Sequence, residues 1–473
     1  MNVEHLPEPR LLFAGGTHIC PRRGIAEYGV FDQTQATRRS EIYVGGVGTS
    51  NCIDLLDAWL KRCGGVIAAA SDVKQENLRL PFCGFNRSRG FGADMNFSAD
   101  LSRTIRNSEV KAILDIKDRK QRVREAVELY YEHIKFLAQN RHVDVVVCVI
   151  PKKLYEGVAS EDPPREHTLA TEVEAYEELN FRRALKAKAM PFAKPLQLVL
   201  DVSLNAARVA GQQDDATKAW NFCTALYYKS GPTIPWKLNQ DNARASSCAV
   251  GISFYRSRDR RTLSTSLAQI FDELGNGLIL RGTPVELDKD DRSPRLSEGQ
   301  AHSLLTAALN EYRVALRNYP ARVVIHKSSH FSDAEISGLE SAAQEVNIDI
   351  VDFVTVMDSK LRLFRDGNYP PYRGTLAQLD DHRQLLYTRG SVWYYETYPG
   401  LYVPKPIELR VVKSEESPSY IAKEVLGLTK MNWNNTQFDG KYPVTLGCSR
   451  KVGEIMKYLT DRDAPQIRYG YYM

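Results

Sequence analysis

Four polar residues between Phe181 and Lys229 have the types and spacing to hold a small anion. Arg182 and Lys186 stand four apart, which puts both on one face of a helix, while Arg183 and Lys188 fall elsewhere on it. Gln197 begins an apolar run, Gln197–Val202, that reads as a strand behind a loop framed by Pro191 and Pro195. Lys229 ends a second helix that Asp214 and Asp215 open and Ser230-Gly231-Pro232 stops. Arg supplies a planar fork and Lys a mobile point charge, so a phosphate suits the set. On spacing alone, a solvated basic face is the competing reading.

The elements that would position these residues read as α/β. Glu41–Val47 alternates into a strand and ends in Gly45-Gly46-Val47-Gly48, with Asn51 as a cap for the helix that follows. A dinucleotide fingerprint would need a third glycine at position 51, so that motif is incomplete, and a mononucleotide sensor on Gly45–Gly48 is the weaker use of the turn. Val110–Ile116 reads as a strand and Gln121–Ala138 as a helix with Val123, Ala126, Val127, Tyr130, Ile134 and Leu137 inward. Val143–Ile150 is a continuous apolar run of the kind buried on both sheet faces, and the acidic segment Glu161–Glu178 leads on to Phe181.

A second α/β unit begins near Trp236. Ser247–Tyr255 and Leu263–Arg281 supply strands, Ser297 starts a helix to about Asn318, and Arg322–His326 is a short strand. Ser332-Asp333-Ala334-Glu335 is a capping box for a further helix, and Ile348–Val356 returns as a strand. Strands first, then alternating helices and strands, fit an RNase H-like sheet.

At 473 residues the chain has room for two or three domains, and its 43% apolar and 26% charged content is that of an ordinary globular protein. A formal charge of +5 means that any nucleic-acid groove must be local. Cys20, Cys52, Cys63, Cys83, Cys148, Cys223, Cys248 and Cys448 include no C-x-x-C pair, so buried free thiols are expected and a zinc site is not. MNVEHLPEPR has no apolar core and no apolar run approaches ~18–20 residues, so a cytoplasmic location is expected.

The pattern R-x-x-x-K-A, P-x-Q, then A-T-K-A-W-N, A-L-Y-Y-K-x-G and I-P-W resembles the MID domain of prokaryotic Argonaute proteins. The resemblance implies that Arg182, Lys186, Gln197 and Lys229 hold the 5′ phosphate of a guide strand, with Arg182 where the family more often has Tyr or His. It also implies Mg²⁺ at that phosphate, with Gln197 and the carboxylate of Met473, after the aromatic tail Tyr469–Tyr472, as its donors; simple packing of that tail on the core is the alternative. The second half resembles the RNase H-like PIWI domain in A-V-G-I-S-F-Y, R-V-V-I-H-K-S-S and L-T-K-M-N-W-N-N-T-Q-F-D-G.

Slicing members of that family use carboxylates that hold two metal ions about 3.5–4 Å apart. The matching positions here are Ser253, Ser328 and, near the last ligand, Ser449 and Arg450. Neutral serine is a poor ligand for a hard dication, so a non-cleaving PIWI unit is expected. A divergent metal-dependent nuclease using Glu286, Asp288 or Asp439 is the alternative. Neither serine lies in a G-x-S-x-G elbow, and His326 and His330 flank a strand end, so no nucleophile or shared ligand is assigned to them.

The expected organisation is a linker-like segment at 1–40, a Rossmann-like MID domain at 41–235 and a PIWI domain at 236–473, with no N or PAZ domain. That resembles short prokaryotic Argonautes. The resemblance implies a small guide RNA, a single-stranded target DNA and a heterodimeric partner bearing an APAZ region and an effector. A sirtuin-like NADase is favoured for that partner over a TIR enzyme, in antiphage or antiplasmid defence by NAD depletion.

Overall fold

The computed structural model describes residues 2–36, 38–70, 77–159, 178–205, 213–239, 246–259, 262–271, 279–285, 293–367, 370–400, 403–460, 463 and 465–473. Two sheets organise them. The strands and helices used below run, in chain order, β1 (Asn2–His5), β2 (Glu41–Thr49), α1 (Ser50–Cys63), β3 (Asp94–Asn96), β4 (Ser102–Ile105), α2 (Arg119–Asn140), β5 (Val145–Ile150), α3 (Phe181–Ala189), β6 (Leu196–Leu200) and α4 (Asp215–Ser230). They continue with β7 (Ser247–Arg256), β8 (Leu263–Phe271), β9 (Ile279–Val285), α5 (Glu298–Leu316), β10 (Arg322–Lys327), α6 (Asp333–Gln344), β11 (Ile350–Asp358), β12 (Thr375–Gln378), β13 (Arg383–Leu386), β14 (Ile407–Lys413), α7 (Pro418–Leu428) and α8 (Val444–Met456).

The first sheet is parallel throughout: β6 pairs β5, β5 pairs β2, and β3 and β4 share the far edge of β2. Every residue of β5 is buried, as expected for a strand covered on both faces. The six inward residues named for α2 are all buried. Two expectations fail here. The glycines do not end β2, which runs through them to Thr49; a Cβ on Gly48 would stand 2.9 Å from the Val149 carbonyl oxygen, and one on Gly46 2.8 Å from the Phe97 ring. They are needed for close packing, which leaves no space at Gly45–Gly48 for a nucleotide, and α1 starts at Ser50 with Asn51 already inside it. The segment called a strand at Val110–Ile116 is a helix, Asn107–Leu114, because the Glu109 carboxylate accepts from the Arg106 backbone N–H at 2.8 Å and closes its first turn.

The second sheet has nine strands in the order β1-β12-β13-β14-β11-β10-β7-β8-β9. β7, β8 and β9 are antiparallel, and β10 and β11 run parallel beside β7 with α5 and α6 as crossovers. This is the strands-first pattern read from the sequence. Ser332 caps α6 in a capping box, and Glu335 of that box also pairs with the fully buried Lys327 at 2.6 Å. The segment 1–40, read as a linker, is stitched into the second sheet: β1 pairs β12, and Glu8 meets Arg373 at 3.1 Å and Lys430 at 2.7 Å.

Helix α8 joins the two halves. It crosses β7 at Gly251, where a Cβ would stand 2.5 Å from the Thr445 carbonyl oxygen. Farther along, Glu454 pairs with Arg183 of α3 at 2.6 Å, and Lys457 just past the helix pairs with Glu178 at 2.7 Å. One apolar cluster accordingly runs from Trp59 and Val147 through Trp220 and Tyr227 to Trp433, Val452 and Tyr469. All eight cysteines are unbridged, and all but Cys83 are buried. Among the described residues no helix is long and apolar enough to cross a membrane.

Candidate anion-binding site

Helix α3 begins where the Asn180 side chain accepts from the Arg183 N–H at 3.1 Å. Phe181, Leu185 and Ala189 face the core, which turns Arg182 and Lys186, one helical turn apart, to the other side. Gln197 is the second residue of β6, and Lys229 ends α4, whose last turn is buried. These four residues, which the sequence leaves scattered, line one cavity of about 600 Å³ together with Lys451, Asn434 and Met473.

The electrostatics of the cavity are one-sided. Lys229 is 2% exposed and donates a hydrogen bond to Gln197 Oε1. Burial, followed by repulsion from Lys186, Lys451 and Arg182, drives its pKa well below the usual lysine range. Burial and the neighbouring Arg182 and Lys451 lower Lys186 to about 7. The Arg182 guanidinium lies 5.3 Å from the centre of the Tyr155 ring, and its buried Nε has no hydrogen-bond acceptor among the described residues. The acid on the cavity wall, Glu454, is held by Arg183 at 2.6 Å and Lys457 at 2.8 Å. Lys218 is held by Asp215 at 2.8 Å.

Four basic side chains therefore face one space, and among the described residues the acidic side chains beside it, Glu454 and Asp215, are already paired. Such a cavity attracts an anion of more than one charge. Its donor set suits a dication only in the company of that anion, since Gln197 Oε1 is one neutral oxygen among positive groups.

Sequence reasoning missed Lys451. It stands on α8, more than two hundred residues from Lys229, beside Arg450 in a pair whose two members diverge. Arg450 is exposed and stacks 4.2 Å from the Tyr442 ring centre, while Lys451 reaches the cavity. Only the helical period of α8 hinted that the two would separate.

The strand register places Ser253 and Ser328 each one residue beyond the paired Ile252 and Lys327, at the same level of adjacent parallel strands. Ser253 is buried, as is Ser449, whose hydroxyl bonds the Leu446 carbonyl at 3.1 Å. Asp439 is engaged by Gln437 at 3.3 Å, and Asp352 by Arg322 at 2.5 Å. Among the described residues no three His, Cys, Asp or Glu gather as a metal site. Glu286 and Asp288 lie outside the described residues, as does most of the acidic segment Glu161–Glu178. His326 is buried, held by Thr445 Oγ1 at 2.9 Å and lowered by burial to about 4, which makes it a neutral core residue.

No protein-family model and no curated protein matches the chain. Solved structures do. Clostridium butyricum Argonaute, bound to a guide DNA and a 19-mer target DNA, superposes with a TM-score of 0.68 at 15% identity over 97% of this chain. Drosophila Piwi does so at 0.60 and 13% over the whole chain, and Marinitoga piezophila Argonaute, in complex with a 5′ OH guide RNA, at 0.58 and 12%. The chain spans 53%, 56% and 59% of those proteins' own lengths. The two sheets thus make up an Argonaute-like fold.

Proposed function

We propose that this protein binds the 5′-phosphorylated end of a small guide RNA and uses the guide to recognise a complementary single-stranded DNA without cutting it. Support comes above all from the cavity, where Arg182, Lys186, Lys229 and Lys451 converge and where, among the described side chains, the lining acid Glu454 is already held by Arg183 and Lys457. A terminal phosphate monoester carries up to two charges and accepts hydrogen bonds on three oxygens, which matches Arg182, the lysines and the Gln197 amide. Phosphate contacts would fix the strand's position, and base pairing would supply sequence specificity. Mg²⁺ would arrive with the phosphate, and Gln197 and the carboxylate of Met473 would be the residues to share it.

The absence of cutting is inferred from residue type: Ser253, Ser328 and Arg450 offer no anionic oxygen to a metal ion. Activity then belongs to a partner, and the resemblance to short Argonautes points to an APAZ-bearing effector, NAD-depleting and sirtuin-like, in defence against phage or plasmids. The test compares otherwise identical strands ending in phosphate or hydroxyl. Tighter binding of the phosphorylated strand, lost in Lys229→Ala, is expected, with no cleavage of a matched target in Mg²⁺ or Mn²⁺. Equal affinity for both ends would refute the pocket assignment, and metal-dependent cleavage by the purified chain would refute the inactive PIWI unit.

A further inference from the structure

Away from the cavity, three flat groups are stacked at the surface. The Arg365 guanidinium lies 3.7 Å from the centre of the Tyr372 ring. Tyr372 in turn stacks on Trp393, with ring centres 4.8 Å apart and planes inclined by 16°. Trp393 remains 67% exposed, whereas the protein's other tryptophans, Trp59, Trp220, Trp236 and Trp433, are all buried.

The mounting beneath this stack is rigid. Tyr372 and Ser391 form a bridge, in which the Ser391 N–H meets the Pro371 carbonyl at 2.9 Å and the Arg373 N–H meets the Ser391 carbonyl at 2.9 Å. The strands approach so closely at Gly390 that a Cβ there would stand 2.3 Å from the Pro371 carbonyl oxygen. Arg373, next to Tyr372, is sunk into the core against Glu8 and Thr429. Val392 is buried on one side of Trp393, and Tyr395 is buried two residues beyond it. The backbone is thus fixed on both sides of a tryptophan held out in water, where an indole left to itself would fold onto the surface.

We infer that the Arg365–Tyr372–Trp393 stack is a platform on which an unpaired base of a single-stranded nucleic acid lies, Trp393 offering the ring face. Every base has a π-face, so such a platform takes a strand without reading its sequence. Charge favours a polyanion: Arg365 lies in the stack, and with Lys360 and Arg362 it outnumbers Asp366 and Glu396, the acids of residues 360–366 and 393–396. The platform shares with the proposed function the premise of a nucleic-acid partner, but it engages no terminal phosphate. A strand ending in a 5′ hydroxyl therefore tests it separately from the cavity.

The solitary exposure of Trp393 makes it an optical probe. The full-length chain is titrated with a short 5′-hydroxyl oligothymidylate, and binding is read by anisotropy together with tryptophan emission and its quenching by iodide. The bound strand is expected to quench the emission and to shield the exposed tryptophan from iodide. Trp393→Leu should abolish both signals and weaken binding by about 5- to 150-fold, the range for losing one base–aromatic stack. Unchanged iodide access at saturating strand overturns the assignment in the unaltered protein, whatever any variant does. So does a Trp393→Leu protein, folded by circular dichroism, that binds as tightly as the parent. Shielding produced by a co-purifying protein and never by the strand overturns it as well.

Discussion

Replacing Lys186 by Met should move two properties of the protein in opposite directions. In the empty cavity Lys186 faces Arg182, Lys229 and Lys451, the Cys148 thiol behind it stays protonated with a pKa pushed to about 12, and Glu454 is held by Arg183 and Lys457. The fall of Lys186 from 10.5 to about 7 converts, at 1.36 kcal/mol per pH unit, to about 5 kcal/mol. Water filling the cavity screens part of this and leaves on the order of 3 kcal/mol. The unfolded chain holds this proton up to pH 10.5 and the folded chain only to about 7, so the penalty is complete below pH 7 and fades as pH rises between those values.

Lys186→Met removes the penalty. The variant should be more stable than the parent by roughly 3 kcal/mol at pH 6, with the gap shrinking to about 2 kcal/mol at pH 9 and vanishing above the unfolded value of 10.5. The same variant should bind a 5′-phosphorylated strand more weakly. Urea titrations at pH 6, 7, 8 and 9 read the first effect. Calorimetry of strand binding at pH 8, in buffers of different ionisation enthalpy, reads its counterpart: the parent should take up protons as the phosphate enters, and the variant fewer. A stability gap that does not change with pH, or binding with no proton uptake in the parent, would show that the lysines are fully charged in the empty cavity and that the electrostatic account is wrong.

Lys451→Ala should weaken binding of 5′-phosphorylated strands by about tenfold, the low end for a charge-assisted hydrogen bond, and leave hydroxyl-ended strands unaffected in the same anisotropy assay. Gly48→Ala forces a methyl group against the Val149 carbonyl and should lower unfolding free energy by about 1–3 kcal/mol in urea. Lys327→Met leaves Glu335 buried without its cation and should lower stability by about 3–5 kcal/mol, much of it recovered when Glu335→Leu is added.

The parts of the cavity that were legible in the sequence share one property: local rules carry them. Arg182 and Lys186 follow from helical spacing, Lys229 from a helix bounded by Asp214 and Gly231, and Gln197 from the start of an apolar run. Family resemblance was still needed to say that they meet. Lys451 was out of reach because the fold of the second sheet carries it there, and nothing in its own neighbourhood marks it. Gly45–Gly48 misled for a different reason: a turn and a close helix–strand contact both require the missing Cβ, and the letters do not distinguish them. At Val110–Ile116 the apolar spacing served either element, and Glu109, outside the segment, decided the matter. The pairing of β1 was out of reach, since Asn-Val-Glu-His has one apolar residue and its partner strand, β12, lies far away in the second half of the chain.

That strand has a consequence for solubility. Leu376 and Ala377 of β12 are buried, and without β1 their backbone would lie open along the rim of a nine-stranded sheet. All four residues of β1 are exposed, and the strand is too short and too polar to recruit another chain in its turn. Its few residues act as a selvedge on a woven cloth. A variant trimmed to Pro9 would lose both this border and Glu8, and would present a raw edge on which further molecules could add strand by strand.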